Sequence, residues 1–136
     1  MTGKTQRLSY DLSGKTAVVT GGAGILCAGM CKALAEAGAA LAVLDVNLAA
    51  AQKLADEIVQ EGGVAIAAAC NVLERSSIEE AAGFVLQHFG QVDILINGAG
   101  GNKPQATTSP QTSFFDLPAD ALRWVFDLNL LGTILP

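Results

Sequence analysis

The chain alternates between short, continuous apolar runs and longer segments in which apolar residues recur three or four positions apart. A short run of β-branched or small apolar residues is typical of a strand, whereas the wider spacing is typical of an amphipathic helix with one buried face. The pattern predicts strands at residues 16–20, 40–44, 64–70 and 92–96. Between and after them it predicts four helices.

Capping residues and glycines define the ends of these helices. The first is expected from about residue 24 to residue 37, and the fourth begins near residue 118. Asn47 is the predicted N-cap of the second helix, and Ser76 with Glu79 forms a predicted capping box for the third. The glycines that predict C-terminal ends are Gly38, Gly62 with Gly63, and Gly90.

Each predicted helix carries an apolar stripe that we expect to face the core. The stripes are Leu26, Met30, Ala33, Leu34 and Ala37; Leu48, Ala51, Ala55 and Ile58; Ile78, Ala82, Val85 and Phe89; and Leu122, Val125, Leu128 and Gly132. The third strand is apolar throughout, which predicts that both of its faces are covered. Strands that alternate with helices indicate an α/β fold with a doubly wound parallel sheet of the Rossmann type, joined by right-handed crossovers.

The residues between the first strand and the first helix read TGGAG, from Thr20 to Gly24. Closely spaced glycines let the backbone approach a ligand, and the free N–H groups of a first helical turn attract an anion such as a dinucleotide pyrophosphate. Asp45, at the end of the second strand, can accept hydrogen bonds from both hydroxyls of an adenosine ribose. It would repel a 2′-phosphate, which favours NAD over NADP. The alternative role for Asp45 is a favourable charge near the N-terminus of the second helix.

No strand pattern follows that could pair with the outer side of the fourth strand, and a parallel sheet rarely ends in this way. We therefore interpret residues 1–136 as the N-terminal part of one dinucleotide-binding domain, incomplete on its C-terminal side. Residues 1–14 are polar and predict a lead-in before the first strand.

A glycine-rich and then polar loop covers residues 97–113. We interpret it as functional rather than as a plain linker, because ligands bind beyond the carboxyl ends of strands in open α/β sheets. Asn129 shares the predicted stripe of the fourth helix with Val125. A buried amide at that position needs hydrogen-bond partners.

Composition and charge exclude several classes of partner. The 136 residues are 51% hydrophobic and carry a net charge of −5, which argues against nucleic acid or an anionic membrane surface. The three cysteines are odd in number and lack zinc-like spacing, so we predict reduced thiols, a cytoplasmic location and no metal site. Cys27 and Cys31 are interpreted as small core-facing residues rather than as a metal pair.

Taken together, these motifs resemble the N-terminal half of the short-chain dehydrogenase/reductase family, over nearly the whole sequence. The residues that carry the resemblance are TGGAG at Thr20 to Gly24, Asp45, Asn71 with Val72 after the third strand, NGAG at Asn97 to Gly100, and Asn129. Within the family, the loop 100–108 and the final VFDLNLLGTILP most resemble the D-mannonate oxidoreductase (fructuronate reductase-like) branch.

The resemblance assigns roles residue by residue. The positions it implies for NAD binding are Thr20, Gly21, Gly22, Gly24, Ile25, Asp45, Asn71, Val72, Asn97, Ala99 and Gly100. It implies that Asn129 is the catalytic asparagine, which helps to hold a proton-relay water. Asn102 and Lys103 lie in the loop above the site as substrate candidates, and Lys103 could pair with a sugar-acid carboxylate or remain solvated.

Several positions depart from the family pattern. Ile25 and Cys27 stand where TGxxxGxG has glycines, NGAG with Gly98 replaces the common NNAG, and Asn71 replaces the usual aspartate. We expect a reshaped turn rather than a lost site, with Cys27 filling a glycine's place; a redox role is the alternative. The family's catalytic Tyr-x-x-x-Lys and its serine are missing, since Tyr10 is the only tyrosine.

The resemblance implies an NAD-dependent oxidoreductase that moves a hydride between the nicotinamide and a secondary alcohol or ketone. The substrate is expected to be a small molecule, with D-mannonate and D-fructuronate as the sugar-acid candidates. The alternatives are a reductase of 3-oxoacyl groups or polyols, or a non-catalytic nucleotide-binding fragment. We expect the 136 residues alone to be inactive, and the complete product to form a homo-oligomer, a dimer or a tetramer.

Overall fold

Four parallel strands form one sheet in the order β3-β2-β1-β4. The structure is a computed structural model that describes residues 10–136, so most of the predicted lead-in lies outside the described residues. The strands are β1 Thr16–Thr20, β2 Ala40–Asp45, β3 Val64–Ala69 and β4 Ile94–Asn97, and the helices are α1 Ile25–Glu36, α2 Leu48–Gln60, α3 Arg75–Phe89 and α4 Ala119–Phe126.

The strand order reverses beside β1, which is the central strand and is buried along its whole length. The chain moves outward from β1 through β2 to β3, and β4 then pairs with the opposite side of β1. The two connections at β1 therefore run to opposite sides. This switch point leaves a crevice beyond the carboxyl ends of β1 and β4, where open α/β sheets bind ligands.

Two separate cores cover the two faces of the sheet. On one face, Cys31 of α1 and Ile58 of α2 pack with Val19 and Leu41. On the other face, Val85 of α3 packs in a cluster with Val18 and Leu44. Helices on both faces of a parallel sheet confirm the predicted doubly wound α/β architecture.

The structure confirms the predicted start of α2 at Asn47 and the predicted glycine-terminated ends of α1, α2 and α3. Asn47 Oδ1 accepts a hydrogen bond from Ala50 N at 3.1 Å, as an N-cap does. The three terminating glycines all adopt left-handed backbone angles, with φ of +97° at Gly38, +93° at Gly62 and +77° at Gly90.

The capping box predicted for the third helix is wrong. α3 begins at Arg75 after Glu74, which makes no side-chain capping bond, so Ser76 lies inside the helix. The hydroxyl of the neighbouring Ser77 instead accepts a hydrogen bond from Asn71 N at 2.9 Å. The serine hydroxyl that bonds the loop after β3 is therefore that of Ser77, one position after the serine of the predicted capping box.

The stripe predicted for α1 is wrong at Leu26 and Met30, whereas Leu34 packs against the core as predicted. Leu26 is 78% exposed and Met30 is 46% exposed, whereas Cys27 and Cys31 point into the core. Apolar residues occur on nearly every side of this helix, so periodicity alone does not select the buried side. Cys27 and Cys31 pack in the same core as Val19 and Leu41 of the sheet.

Both faces of β3 are covered as predicted, but two further burial expectations need correction. Ala67 of β3 belongs to one core, and Ile66 and Ala68 pack against the other, although β3 is the edge strand and Val64 at its start is 56% exposed. Leu48 of α2 is 45% exposed, while Leu54, absent from the predicted stripe, is buried. Ala82 of α3 is exposed, and the neighbouring Ala81 is buried in its place.

The predicted loop and fourth helix are more segmented than the sequence suggests. The loop contains two short 3-10 turns, Pro104–Ala106 and Phe114–Asp116. After α4 the chain forms a π-helical segment, Asp127–Leu131, followed by a last helical turn, α5 Gly132–Ile134.

Candidate functional site

A cavity of about 620 Å³ lies at the carboxyl ends of the strands. Its walls come from the glycine turn after β1, the end of β2, the loops after β3 and β4, and one side of α4. The lining residues are Gly21, Gly24, Ile25, Leu26, Cys27, Asp45, Val46, Cys70, Asn71, Val72, Leu73, Gly98, Ala99, Gly100, Trp124 and Leu128.

Gly21 brings the turn after β1 into direct contact with the loop after β4. Its φ is +60°, and a Cβ built there would lie 2.7 Å from the Ala99 Cα atom. Gly22 lies behind the cavity wall, where a Cβ would approach Val43 Cγ1 to 2.8 Å. Gly21 therefore shapes the cavity itself, and Gly22 allows the turn to pack on β2.

The N-terminus of α1 points its free N–H groups at this cavity. The N-cap is Gly24, and among the described residues no side chain caps the helix. The first intrahelical bond runs from Ala28 N to Gly24 O at 2.8 Å, so the N–H groups of the three residues before Ala28 have no intrahelical acceptor. Their partial positive charge suits an anionic group such as a pyrophosphate.

Asp45 connects the end of β2 to the glycine turn. Its Oδ2 accepts from Ala23 N at 3.1 Å and its Oδ1 accepts from Asn47 N at 2.9 Å. Each carboxylate oxygen can accept more than one hydrogen bond, so both retain capacity for a ligand hydroxyl. These two backbone bonds hold the half-buried side chain at the cavity wall.

The loop after β3 contributes Asn71 and Val72 to the wall. The Asn71 side chain is used locally, since Nδ2 donates to Glu74 Oε1 at 2.9 Å and Oδ1 accepts from Leu73 N at 3.1 Å. Val72 is buried and lies against Gly132, where an added Cβ would be 2.8 Å from Val72 Cγ2.

The loop after β4 is attached to β1 through Thr20. The buried Thr20 hydroxyl accepts a hydrogen bond from Ala99 N at 3.3 Å. Thr20 itself lies behind the cavity wall. Asn97 is exposed and is not among the residues that line the cavity. Gly100 lies on the wall, where a Cβ would come within 2.9 Å of Asn129 Oδ1.

Asn129 joins the π-helical segment to the loop after β4. Its Nδ2 donates to Gly101 O and to Val125 O, both at 2.7 Å, and its Oδ1 accepts from Gly101 N at 3.2 Å. The expectation that Asn129 is buried is wrong, because the residue is exposed. The expectation that its amide finds partners is confirmed, and the partners include backbone groups of the glycine-rich loop.

Lys103 and Asn102 lie in the loop beyond this connection. The Lys103 ammonium lies 4.4 Å from the centroid of the Trp124 ring, a cation–π contact, and Trp124 lines the cavity. Asn102 is used within the loop, because its Nδ2 donates to Thr107 Oγ1 and its Oδ1 accepts from Lys103 N, both at 2.9 Å.

The cysteines are small buried residues, as predicted. All three are free thiols in buried positions. Burial, and to a lesser extent the nearby Cys27, raises the pKa of the Cys31 thiol to about 11. Burial also raises the pKa of Cys70, so the neutral thiol is the favoured form of both at neutral pH.

Eight of the fourteen predicted site residues line one cavity, and six do not. Gly21, Gly24, Ile25, Asp45, Asn71, Val72, Ala99 and Gly100 line it. Thr20, Gly22, Asn97, Asn102, Lys103 and Asn129 lie behind or beside the wall. Sequence reasoning did not assign Trp124 and Leu128 to the site, because their helical spacing carries no chemical signal. Cys27 was predicted as a small core-facing residue and Gly98 as part of the NGAG motif, but neither was assigned to the site.

Comparison with known proteins decides the family. The family model described as "short chain dehydrogenase" matches residues 15–136. The chain belongs to the short-chain dehydrogenase family. An uncharacterized oxidoreductase of Haemophilus influenzae is 44% identical to this short-chain dehydrogenase sequence over 138 residues, covering 94% of the chain and 48% of the relative.

Solved structures of short-chain dehydrogenases have the same fold. A proposed D-mannonate oxidoreductase from Haemophilus influenzae, with bound NAD, superposes with a TM-score of 0.88 at 43% identity, covering 93% of this chain and 49% of that one. A 7α-hydroxysteroid dehydrogenase complexed with NADH and 7-oxo glycochenodeoxycholic acid superposes with a TM-score of 0.82 at 33% identity, covering 93% and 47%.

The chain spans about half the length of the curated relatives that it matches. Over residues 10–136, none of the helices has the length and apolar character needed to cross a membrane.

Proposed function

We propose that this chain forms the NAD-binding part of an oxidoreductase that acts on a secondary alcohol or ketone. One observation carries the proposal: a single cavity combines the uncapped N-terminus of α1, the close approach of Gly21 to Ala99, and the Asp45 carboxylate. A pyrophosphate and an adenosine ribose need these three features at neighbouring positions. The bound NAD and NADH in related structures agree with this proposal.

In this proposal each wall of the cavity binds a different part of the cofactor. The turn of Gly21, Gly24 and Ile25 faces the pyrophosphate, and Asp45 accepts hydrogen bonds from the adenosine ribose. Asn71 and Val72 flank the adenine, and Ala99 and Gly100 run beside the second ribose. Thr20, Gly22 and Asn97 support these loops from behind. NAD, when bound, supplies the acceptor or the donor of the hydride.

Asn129 has a positioning role in the same proposal. Its amide joins the backbone of Gly101 to the π-helical segment, which holds the loop after β4 at the cavity. A π-helical turn leaves backbone carbonyls out of the regular helical ladder, and such turns are frequent at functional sites. A carbonyl freed in this way could hold the water of a proton relay.

A sugar acid is the substrate class that we propose, with D-mannonate and D-fructuronate as the pair to be tested. Its support on the protein side is the Lys103 ammonium, which the Trp124 ring holds beside the cavity. A carboxylate could pair with that ammonium at little cost, since one face of the cation already contacts the ring. The similarity to a structure described as a proposed D-mannonate oxidoreductase agrees with this class.

The preference for NAD can be tested at Asp45. Removing a charge-assisted hydrogen bond to a ribose hydroxyl is expected to weaken NADH binding by about tenfold, because such bonds contribute more than neutral ones. We expect the protein to bind NADH more tightly than NADPH, and Asp45→Ala to remove most of that difference. The fluorescence of the two cofactors on titration measures both affinities.

The matched control is Asp56→Ala, which removes a carboxylate from the exposed side of α2. We expect it to leave the ratio of the two affinities unchanged. Equal affinities for NADH and NADPH in the unmutated protein would contradict the role of Asp45. Two further proposals concern the whole protein: the free thiols favour a cytoplasmic location, and we propose a homo-oligomer.

A further inference from the structure

Cys27 and Gly98 face each other across the floor of the cavity. Cys27 lies in the first turn of α1 and is only 7% exposed, and Gly98 directly follows β4. The Cys27 thiol donates a weak hydrogen bond to the Gly98 carbonyl oxygen, with a sulfur–oxygen distance of 3.9 Å. Both residues line the cavity.

Gly98 is required by space rather than by backbone angle. Its φ is outside the left-handed region in which five other glycines of the described chain lie. A Cβ built at Gly98 would collide with the Cys27 sulfur, and it would also lie 2.8 Å from the Thr20 carbonyl oxygen. The sulfur therefore occupies volume that a side chain at position 98 would need.

We propose that Cys27 is a positioning residue of the cofactor cavity and that positions 27 and 98 form one steric unit. The volume that a side chain would occupy at position 98 is filled from the opposite wall by the Cys27 sulfur. Two departures from the family pattern then compensate each other. Cysteine in place of glycine at position 27 adds volume, and glycine in place of asparagine at position 98 removes it. The proposal rests on the proposed function only in naming the ligand as NAD(H).

The path of the loop after β4 explains how this pair acts on the cavity. Immediately beyond Gly98, Ala99 donates to the Thr20 hydroxyl and its Cα atom packs on Gly21. A shift of position 98 by a few tenths of an ångström would therefore move the contact between the two glycine-rich loops. The expected consequence is weaker cofactor binding and not merely a lower stability.

A four-member cycle tests the pair in the protein as its gene encodes it: unmutated, Gly98→Ala, Cys27→Gly, and both changes together. NADH affinity is measured by its fluorescence, and stability by the thermal midpoint. We expect Gly98→Ala to weaken NADH binding by about tenfold when Cys27 is present and by a smaller factor when position 27 is glycine, where only the contact with the Thr20 carbonyl oxygen remains. An equal penalty in both backgrounds would overturn the proposal, because the Thr20 carbonyl alone would then exclude the side chain.

Conservative variants separate positioning from helix stability. Cys27→Ser keeps an atom near the sulfur position, so we expect it to retain the Gly98→Ala penalty. Should Cys27→Gly fail to fold, Cys27→Ala removes the sulfur while keeping a better helix former. Gly29→Ala is the matched control, because a Cβ there meets nothing within 4 Å, and it should leave NADH affinity unchanged. Loss of the penalty in Cys27→Ser would contradict the steric unit.

The two proposals fail in different ways. If the unmutated protein does not bind NADH, the proposed function is contradicted, and the coupling of positions 27 and 98 is still measured by the thermal midpoints of the cycle. If NADH binds and the two changes are additive in both readouts, the steric unit is contradicted and the proposed function stands.

Discussion

Gly21 is the residue on which the shape of the cavity depends most directly. It combines a left-handed backbone angle with a close approach to Ala99 in the loop after β4. Either feature alone disfavours a side chain, and together they leave no room for one. The sequence motif marks a glycine-rich turn, and the structure identifies the neighbour that makes this particular glycine necessary.

At this position we predict that Gly21→Ala weakens NADH binding by at least about tenfold, because the strain and the collision together cost on the order of 1–3 kcal/mol. Titration of NADH fluorescence measures the loss. Gly90→Ala is the control, since Gly90 has a similar φ of +77° and open space around it. Equal effects of the two changes on NADH affinity would show that the contact with Ala99 is unimportant.

At the scale of the element, the pairing of β1 with β4 depends on a cluster at the opposite end of the sheet from the cavity. Asp93 Oδ2 accepts from Thr16 N at 2.9 Å, and Oδ1 pairs with Lys15 Nζ at 3.0 Å. Gln91 Nε2 also donates to Asp93 Oδ2, at 2.9 Å. These bonds lie at the start of β1 and just before β4, so they support the alignment of the two strands.

The Thr16 N–H bond, and then Lys15, lower the pKa of Asp93 below its ordinary value. A carboxyl with a lowered folded-state pKa stabilises the fold above its unfolded pKa and loses that contribution as pH falls through the folded value. We therefore expect Asp93→Asn to lower the thermal midpoint at neutral pH, with the difference from the unmutated protein shrinking below about pH 4. Circular-dichroism melts at several pH values measure it.

Asp56→Asn serves as the control for this pH series, since Asp56 lies on the exposed side of α2. The thermal midpoint of Asp56→Asn should equal that of the unmutated protein at every pH of the series. The thermal midpoint of Asp93→Asn could instead stay below that of the unmutated protein by the same amount at the lowest pH measured. That result would show that the charge of Asp93 does not support the strand pairing.

At the scale of the whole molecule, the described residues form the proposed NAD(H) cavity, and no tyrosine is among the residues that line it. Tyr10 is 71% exposed and lies near Leu12, whose N–H donates to Ala37 O at the far end of α1. The family's general acid is a tyrosine with a lysine four residues later, and Tyr10 has neither the position nor the lysine.

We therefore expect a polypeptide limited to these 136 residues to bind NADH without oxidising it in the presence of D-fructuronate or another ketone. NADH absorbance over time measures the reaction, and NADH fluorescence confirms that the cofactor is bound. Turnover that persists in Tyr10→Phe would mean that another group in this chain supplies the proton.

The sequence by itself determined the order of elements, the parallel sheet and half of the residues that line the cavity. Strand runs, the Asn47 cap and the terminating glycines are local signals, so they need no knowledge of distant residues. The glycine turn and Asp45 were also identified from the sequence, because ligands of parallel sheets bind beyond the strand ends and the topology brings those ends together.

Only the tertiary structure decided which side of an element is covered and which distant residues touch. α1 is apolar on nearly every side, so the choice of Cys27 and Cys31 over Leu26 and Met30 depends on how closely the helix packs on the sheet. The contact between Cys27 and Gly98 joins residues 71 positions apart. No local pattern encodes such a contact, because steric exclusion acts between atoms that meet only in the folded chain.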